Sequence, residues 1–443
     1  MKHKLSVVIV LALMISLQSA AQEKKVLGLN EAIDLSVKNS KQLKRDQARI
    51  DEATAALREA TDKRLPDAGL SGSYMRFNSP NIVMDTKSTG GGSGISADRP
   101  KINQFMYGIA SFSLPIYSGG QIKYGINSAE YLQKAVALDA DNEREEVVQT
   151  TIEAFANLFK ATTAVRLMKE NLAQSQQRVK ELTNLEKNGL LARNDLLKAE
   201  LQSSNIELSL LDAENNRRIA NVNMNLMLGI STKTELVLDT AGVVKKQDDR
   251  VLDDYLNAAV QNRKDIAAYE NRKKAAESGI RILKGEMYPE LKLTGGYIAA
   301  KIPGFFSVTN MLNVGVGVNY NISSFWKTKT KIRQAEAQMK QVTLSESILD
   351  DNIQMDINRN YYSLVSFRKK IEVYEKASEQ ANENYRIVKN KFDNSLATTT
   401  ELLEADVSQL QAVLSYTLAR ADAFVAYHKL LQSTGTLSTE FLK

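Results

Sequence analysis

Two stretches of the chain, 119–187 and 327–392, run without proline and repeat apolar residues at three and four, the spacing of one helix face. In the first, Ile152, Phe155, Phe159, Val165, Met168 and Leu172 form a stripe. Leu182 and Leu185 carry it to a break at Asn188-Gly189-Leu190-Leu191-Ala192-Arg193-Asn194-Asp195. Leu197, Leu201, Leu208 and Leu211 then return at helical spacing as far as Gly229. Gly189 can take the left-handed conformation that ends a helix, and Asn194 or Asp195 can cap the next one. The break therefore predicts a tip where one long helix reverses into another. At about 1.5 Å per residue the first helix would span on the order of 100 Å. Its stripes predict the seams of antiparallel coiled coils.

A second period appears at 312–322. Leu312, Val314, Val316, Val318, Tyr320 and Ile322 alternate with Asn313, Gly315, Gly317, Asn319 and Asn321. Strict alternation of apolar with small or polar residues predicts a strand. It suits a membrane barrel and a half-buried strand of a soluble sandwich alike. The stretches 105–116, 68–74 and 291–298 show the same period more weakly. The six prolines, at 66, 80, 100, 115, 289 and 303, fall in or beside these regions only, which separates strand from helix along the chain.

The pattern occurs twice. Leu29-Asn30-Glu31-Ala32-Ile33 aligns with Leu252-Asp253-Asp254-Tyr255-Leu256, and the register holds through Pro66 and Pro289 to Tyr74 and Tyr297. After one shift, within the segment that holds the Gly- and Ser-rich loop 77–103, Ile116 pairs with Ile322, Leu158 with Leu364 and Gly229 with Gly435. The tip at 188–197 has its echo at 394–403. We therefore expect a signal peptide at 1–21 and a first repeat at 22–230. A linker at 231–250, a second repeat at 251–435 and a C-terminal tail at 436–443 follow. Each repeat opens with a helix, 29–64 and 251–286, with Asn30 and Asp253 as expected caps, and continues with two strands and a long hairpin. Four strands per chain are too few for a closed barrel, since single-chain membrane barrels start at about eight. They could span a membrane only if several chains share one barrel, and three chains would leave a lumen.

Composition narrows the chemistry. The leader has Lys2 and Lys4, an apolar run over 5–17 and the small-residue site Ser19-Ala20-Ala21, so secretion is expected. The chain has no cysteine, which excludes disulfides, thiolate metal sites and lipid attachment at a cysteine. Net charge is +6, with basic residues interspersed among acidic ones, which argues against a nucleic-acid partner. Beyond the leader the one histidine is His428, inside the last helix, and reads as a packed helix residue rather than a catalytic one. No phosphate-binding glycine loop and no metal-spaced cluster occurs. No catalytic residue, metal or cofactor is expected. Glu401 and Glu404, three apart, share a helix face. They read either as solvated carboxylates favoured by the helix dipole or, repeated around a ring, as a cation-favouring constriction.

The leader, the Leu29–Ile33 opening, Pro66, Leu114-Pro115-Ile116-Tyr117-Ser118-Gly119-Gly120 and the two tips, in this order and duplicated, resemble the TolC family of outer-membrane efflux and secretion channels. The resemblance implies a mainly α fold with a β-barrel part. Antiparallel helical hairpins would form a periplasmic α-barrel, and four strands per chain would join a shared twelve-stranded outer-membrane barrel in a homotrimer. It implies a passive exit duct of a tripartite efflux or type I secretion system. A periplasmic adaptor coupled to an inner-membrane pump of RND, ABC or another class would open it at its tips. Gly189, Leu190 and Leu191, with Ser395, Leu396 and Ala397, would dock the adaptor. Asp195, Glu401 and Glu404 would line the gate. Phe392 stands at a position where the family has tyrosine and Ala397 where it has arginine, so the usual hydrogen-bonded gate lock is not expected in that form. The other reading is a trimeric, adhesin-like coiled-coil protein anchored by a shared barrel.

Overall fold

The computed structural model describes residues 24–78, 102–239 and 250–441 of the 443. The expected leader, most of the loop at 77–103 and half of the linker lie outside the described residues. Among them the elements are β1 (Lys24–Leu27), α1 (Leu29–Asn39), α2 (Lys41–Asp62), β2 (Asp67–Arg76), β3 (Gln104–Tyr117), α3 (Gln121–Lys187) and α4 (Arg193–Leu228). There follow β4 (Glu235–Leu238), α5 (Leu252–Asn262), α6 (Lys264–Gly285), β5 (Glu290–Ile302), β6 (Phe306–Asn319), α7 (Ser324–Asp393), α8 (Thr399–Ser433) and α9 (Leu437–Phe441). The chain falls into two compact units that cut across the sequence halves. One comprises 1–48, 138–267 and 347–443, the other 49–137 and 268–346.

The second unit holds a four-stranded antiparallel sheet of order β2-β3-β5-β6, so β3 and β5 join the two repeats at its centre. Residues opposite one another in such a ladder share a face. The register aligns Leu70 with Ala110, Ala110 with Tyr297 and Tyr297 with Leu312. It aligns Ala68, Phe112, Gly295 and Val314 in the next row, and Leu114, Leu293 and Val316 in the one after. The other face carries Gly69, Ser111, Gly296 and Asn313 in one row and Ser113, Thr294 and Gly315 in the next, while the row of Ser71 holds Ile109, Ile298 and Met311. The alternation seen in one stretch of sequence thus extends across neighbouring strands in the rows from Leu114 to Leu70. Leu312, Val314, Val316 and Val318 are all exposed. Within this unit Ser128 on α3 donates to the Ala275 carbonyl of α6 (3.1 Å), and Lys331 on α7 pairs with Glu286 (2.8 Å).

The first unit is built on a core of Leu27, Ile33, Ile152, Phe155, Leu158, Met224, Leu228, Tyr255, Ile357 and Leu430, all nearly water-free. Each such side chain contributes roughly 1.5–3 kcal/mol by burial. The opening helices are not continuous as expected: each breaks after eleven residues, at Ser40 and at Arg263. Ser40 Oγ accepts the Leu43 N–H (3.2 Å) and so starts a new helix. The breaks serve the ends of the long hairpins. Asn39 Nδ2 donates to the Leu228 carbonyl (2.7 Å) beside Gly229, and Arg263 Nη1 donates to the Ser433 carbonyl (3.0 Å) beside Gly435. Both glycines are left-handed (φ 69° and 70°), and both are pressed against these breaks. Twofold repetition therefore extends from sequence to packing.

Several expectations change. The caps are Gly28 and Val251, not Asn30 and Asp253; Asp254 supplies the carboxylate, accepting the Val251 N–H (3.1 Å). Part of the linker forms β4, parallel to β1, with Leu236 in the core. Asn221 and Asn225 both donate to the Thr234 carbonyl (2.8 Å each), which ties the segment to α4. In the expected tail, α9 docks with Leu437 in the core, and Glu145 accepts the Ser438 N–H and hydroxyl. Burial pushes the Glu145 carboxyl above its usual range, and the Ser438 hydrogen bonds only partly oppose this. Along the first half of α4 the buried residues are Leu196, Ala199 and Ile206, while Leu197, Leu201, Leu208 and Leu211 face outward. α4 therefore has two apolar faces, and this chain covers one.

Candidate functional site

The two tips are built alike. In the first, the Leu190 N–H reaches the Leu185 carbonyl (2.9 Å) across Gly189, which sits at φ 70°. In the second, the Leu396 N–H reaches the Lys391 carbonyl (2.7 Å) across Ser395, which holds φ 58°. These are Schellman-type endings that need a left-handed residue, and a side chain there costs roughly 1 kcal/mol that glycine does not. Ser395 thus keeps the glycine's geometry. Leu190 and Leu396 come out as twins, 74% and 76% exposed.

Packing brings the tips together. Leu182, Leu196 and Ala199 form a small buried cluster, closed by Leu191, Phe392 and Leu403. Phe392 therefore fills an apolar contact where a tyrosine would offer a hydroxyl. Across the same place Lys198 Nζ bridges the Asp195 carboxylate (3.2 Å) and the Thr400 hydroxyl (3.2 Å). Asp195 is thus held by its own helix. Neither Asn194 nor Asp195 caps α4: the helix begins at Arg193, after Ala192, so both lie inside its first turn.

The two glutamates have different surroundings. Glu401 accepts the Thr398 N–H (2.7 Å) and the Thr398 hydroxyl (3.0 Å), while Thr398 Oγ1 accepts the Glu401 N–H (3.2 Å). This is a capping box. Its hydrogen bonds, that from the Thr398 backbone first, hold the Glu401 carboxyl below the usual carboxylate range. Glu404, one turn on, is exposed and makes no ion pair among the described residues.

Above the tips lies a group that the pattern reading passed over. Arg178 on α3 donates through Nη1 to Asp406 on α8 (2.8 Å) and through Nη2 to the Tyr385 hydroxyl on α7 (2.7 Å). The Arg178 and Asp406 side chains are 9% and 2% exposed. Burial works against the Arg178 charge, but the hydrogen bond and charge of Asp406 outweigh it and hold the pKa above its ordinary value. The ion pair ties one hairpin to the other within the protomer. A signal was present: Arg178 falls between Ser175 and Leu182 on the inward stripe, and Asp406 lies four after Leu402. His428 is packed among Phe424, Tyr427 and Phe441 and shares a 2.8 Å hydrogen bond with the Phe424 carbonyl. Among the described residues no helix is long and apolar enough to cross a membrane, and no acidic or histidine cluster could hold a metal ion.

A family profile described as "Outer membrane efflux protein" matches residues 32–230 and 255–436. Outer membrane protein TolC of Escherichia coli (strain K12) is 26% identical over 197 residues, which is 43% of this chain but 38% of TolC's own length. Outer membrane efflux protein BepC of Brucella suis biovar 1 (strain 1330) is 20% identical over 331 residues, 74% of this chain and 71% of BepC. Among solved structures, CusC superimposes with a TM-score of 0.78 at 16% identity, covering 92% of both chains. VceC of Vibrio cholerae gives 0.75 at 18% identity, covering 92% of this chain and 96% of VceC. The mainly α fold with its strand pairs is therefore that of known outer-membrane channels. With nearly the whole described chain matched by the profile, this is a transport protein of the outer membrane, not an enzyme, and it belongs to the outer membrane efflux protein family.

Proposed function

We propose that the protein is a passive trimeric exit duct whose periplasmic tips form its gate. The observation that carries this is the sheet, which segregates apolar from small and polar residues across its strands in the rows from Leu114 to Leu70 and ends in the edges β2 and β6. An unpaired edge is costly in lipid, so the sheet would close with further copies, and three copies give a twelve-stranded barrel that pairs every edge and leaves a lumen. The outward Leu197, Leu201, Leu208 and Leu211 would then pack on a neighbouring protomer. Leu190 and Leu396 would meet a periplasmic adaptor, with Gly189, Leu191, Ser395 and Ala397 shaping the two turns. An inner-membrane pump of RND, ABC or another class would supply energy through that adaptor. Glu404 would set the charge of the constriction, with Glu401 and Asp195 beside it.

The lack of native cysteine allows a direct test. With Ser71→Cys on β2 combined with single cysteines scanned over Asn313–Gly317 on β6, oxidation should give a covalent ladder ending at three chains. A protein that stays monomeric in mild detergent and yields no cross-link at any position would sink the proposal.

A further inference from the structure

We propose that the start of α7 is a phospholipid anchor: Phe325 and Trp326 seat in the membrane interface and Lys327, Lys329 and Arg333 bind anionic lipid headgroups. This rests on the reading that the sheet crosses the outer membrane. All the groups belong to one unit, 49–137 with 268–346.

The placement follows the profile of a bilayer. The exposed apolar row Leu312, Val314, Val316, Val318 runs on through Tyr320 and Ile322 to Phe325 and Trp326, all exposed, with Trp326 61% exposed. Tyr320 and Phe325 meet edge to face, ring centroids 6.0 Å apart. The register puts the end of β3 and the start of β5 at this same end of the sheet, where Tyr117 and Tyr288 are also exposed. Phe305 and Phe306 lie at the opposite end of β6. Aromatic residues flanking an apolar band mark the two interfaces of a membrane barrel.

Cations come next. Phe325, Trp326, Lys329 and Arg333 recur at three, four and seven and so share a helix face. At about 1.5 Å per residue Lys329 lies roughly 5 Å and Arg333 roughly 10 Å along α7 from Trp326, the depth order of interface and phosphate layer. Lys327, Lys329 and Arg333 are exposed and make no ion pair among the described residues, whereas Lys331 is taken by Glu286. The first repeat keeps only part of this set: Tyr117 and Lys123 are exposed, but Gly119, Gly120, Gln121 and Asn127 stand where the second repeat has Phe325, Trp326, Lys327 and Arg333. There the chain passes from Tyr117 through Gly119 and Gly120 into α3, and Tyr124 is covered by Arg281 (5.4 Å to the ring centre). The second repeat supplies aromatic and cationic side chains at this end of the sheet.

Trp326 is the sole tryptophan, so its fluorescence reports this site alone. The full-length protein is reconstituted in vesicles of zwitterionic phosphatidylcholine, with or without phosphatidylglycerol, carrying acyl chains brominated near the headgroup or near the terminal methyl. Insertion is checked independently by resistance to alkaline carbonate. The proposal predicts strong quenching by headgroup-proximal bromine and weak quenching by distal bromine. It predicts a blue shift with phosphatidylglycerol that high salt removes. K327Q/K329Q/R333Q should abolish that shift and leave carbonate resistance intact. Quenching by aqueous acrylamide with none by bromolipid would overturn it, as would shielding from both, which would mean that a second copy covers Trp326. Protein stripped by carbonate would instead remove the membrane-spanning reading itself, and the anchor with it.

Discussion

Asp406→Ala should destabilise the joint above the tips by about 3–5 kcal/mol, because it leaves the Arg178 guanidinium buried without its counter-charge. The loss should appear as faster hydrogen exchange in α3 around Arg178 and in α7 around Tyr385, with a lower unfolding temperature. Arg178→Ala/Asp406→Ala should cost clearly less than the two single losses added together, since neither charge is then stranded. Additive losses would mean that the pair is not coupled as its 2.8 Å contact implies. The tip cluster of Leu182, Leu196, Phe392 and Leu403 lies within a turn or so along α3 and α8, so its protection should fall with the pair. Asp406→Asn, which keeps an acceptor for Arg178 but not the charge, should fall between wild type and alanine.

Gly119→Ala should be nearly as damaging, by a different route. Gly119 holds φ 60°, and a Cβ there would lie 2.3 Å from the Gly285 carbonyl oxygen and 3.1 Å from Tyr288 Cβ. Two backbones touch at that point, one entering α3 from β3 and the other leaving α6 for β5. No flexible side-chain end is present to yield, so a segment must move. The combined strain should exceed roughly 2 kcal/mol. Purified Gly119→Ala should show a reduced yield of folded, heat-resistant oligomer, whereas Gly125→Ala, with open space around it, should not. Equal behaviour of the two variants would show that the joint tolerates displacement.

Gly119 also shows how far the sequence could be read. Ser118-Gly119-Gly120 was a recognisable motif, but that its first glycine lies against Gly285 followed only from the fold. The long helices were legible because α3 and α7 hold one period over 67 and 70 residues without proline. The duplication was legible because two registers persist, and the structure extends it to Asn39 with Gly229 and to Arg263 with Gly435. β1 and β4 were not legible: four residues each, paired in parallel, they are stabilised by asparagines on α4 that no local pattern links to them. The breaks at Ser40 and Arg263 were hidden because no proline or glycine marks them and tertiary contacts fix the kink. On α4 the period identified helix but not its inner face, since Leu196 and Leu197 are equally apolar. The tips were found as turns. The split between Glu401, engaged in a capping box, and Glu404, exposed and unpaired among the described residues, needed hydrogen bonds to see. Arg178 and Asp406 stood in plain view on inward stripes, and the preference for apolar seams passed over them.

A duct constricted at its tips should show itself in single-channel conductance across a planar bilayer. Wild type should be compared with Glu401→Gln/Glu404→Gln, since glutamine at 401 can still serve the capping box with Thr398 and removes only the charge. The account predicts a small, cation-selective conductance in wild type. Selectivity should persist into mildly acidic solution, because the Glu401 carboxyl is held below its usual range. The double variant should lose most of that selectivity while remaining trimeric. Folded, trimeric protein that forms no pore would contradict the duct, and a pore whose selectivity is the same in both proteins would contradict the constriction at the tips.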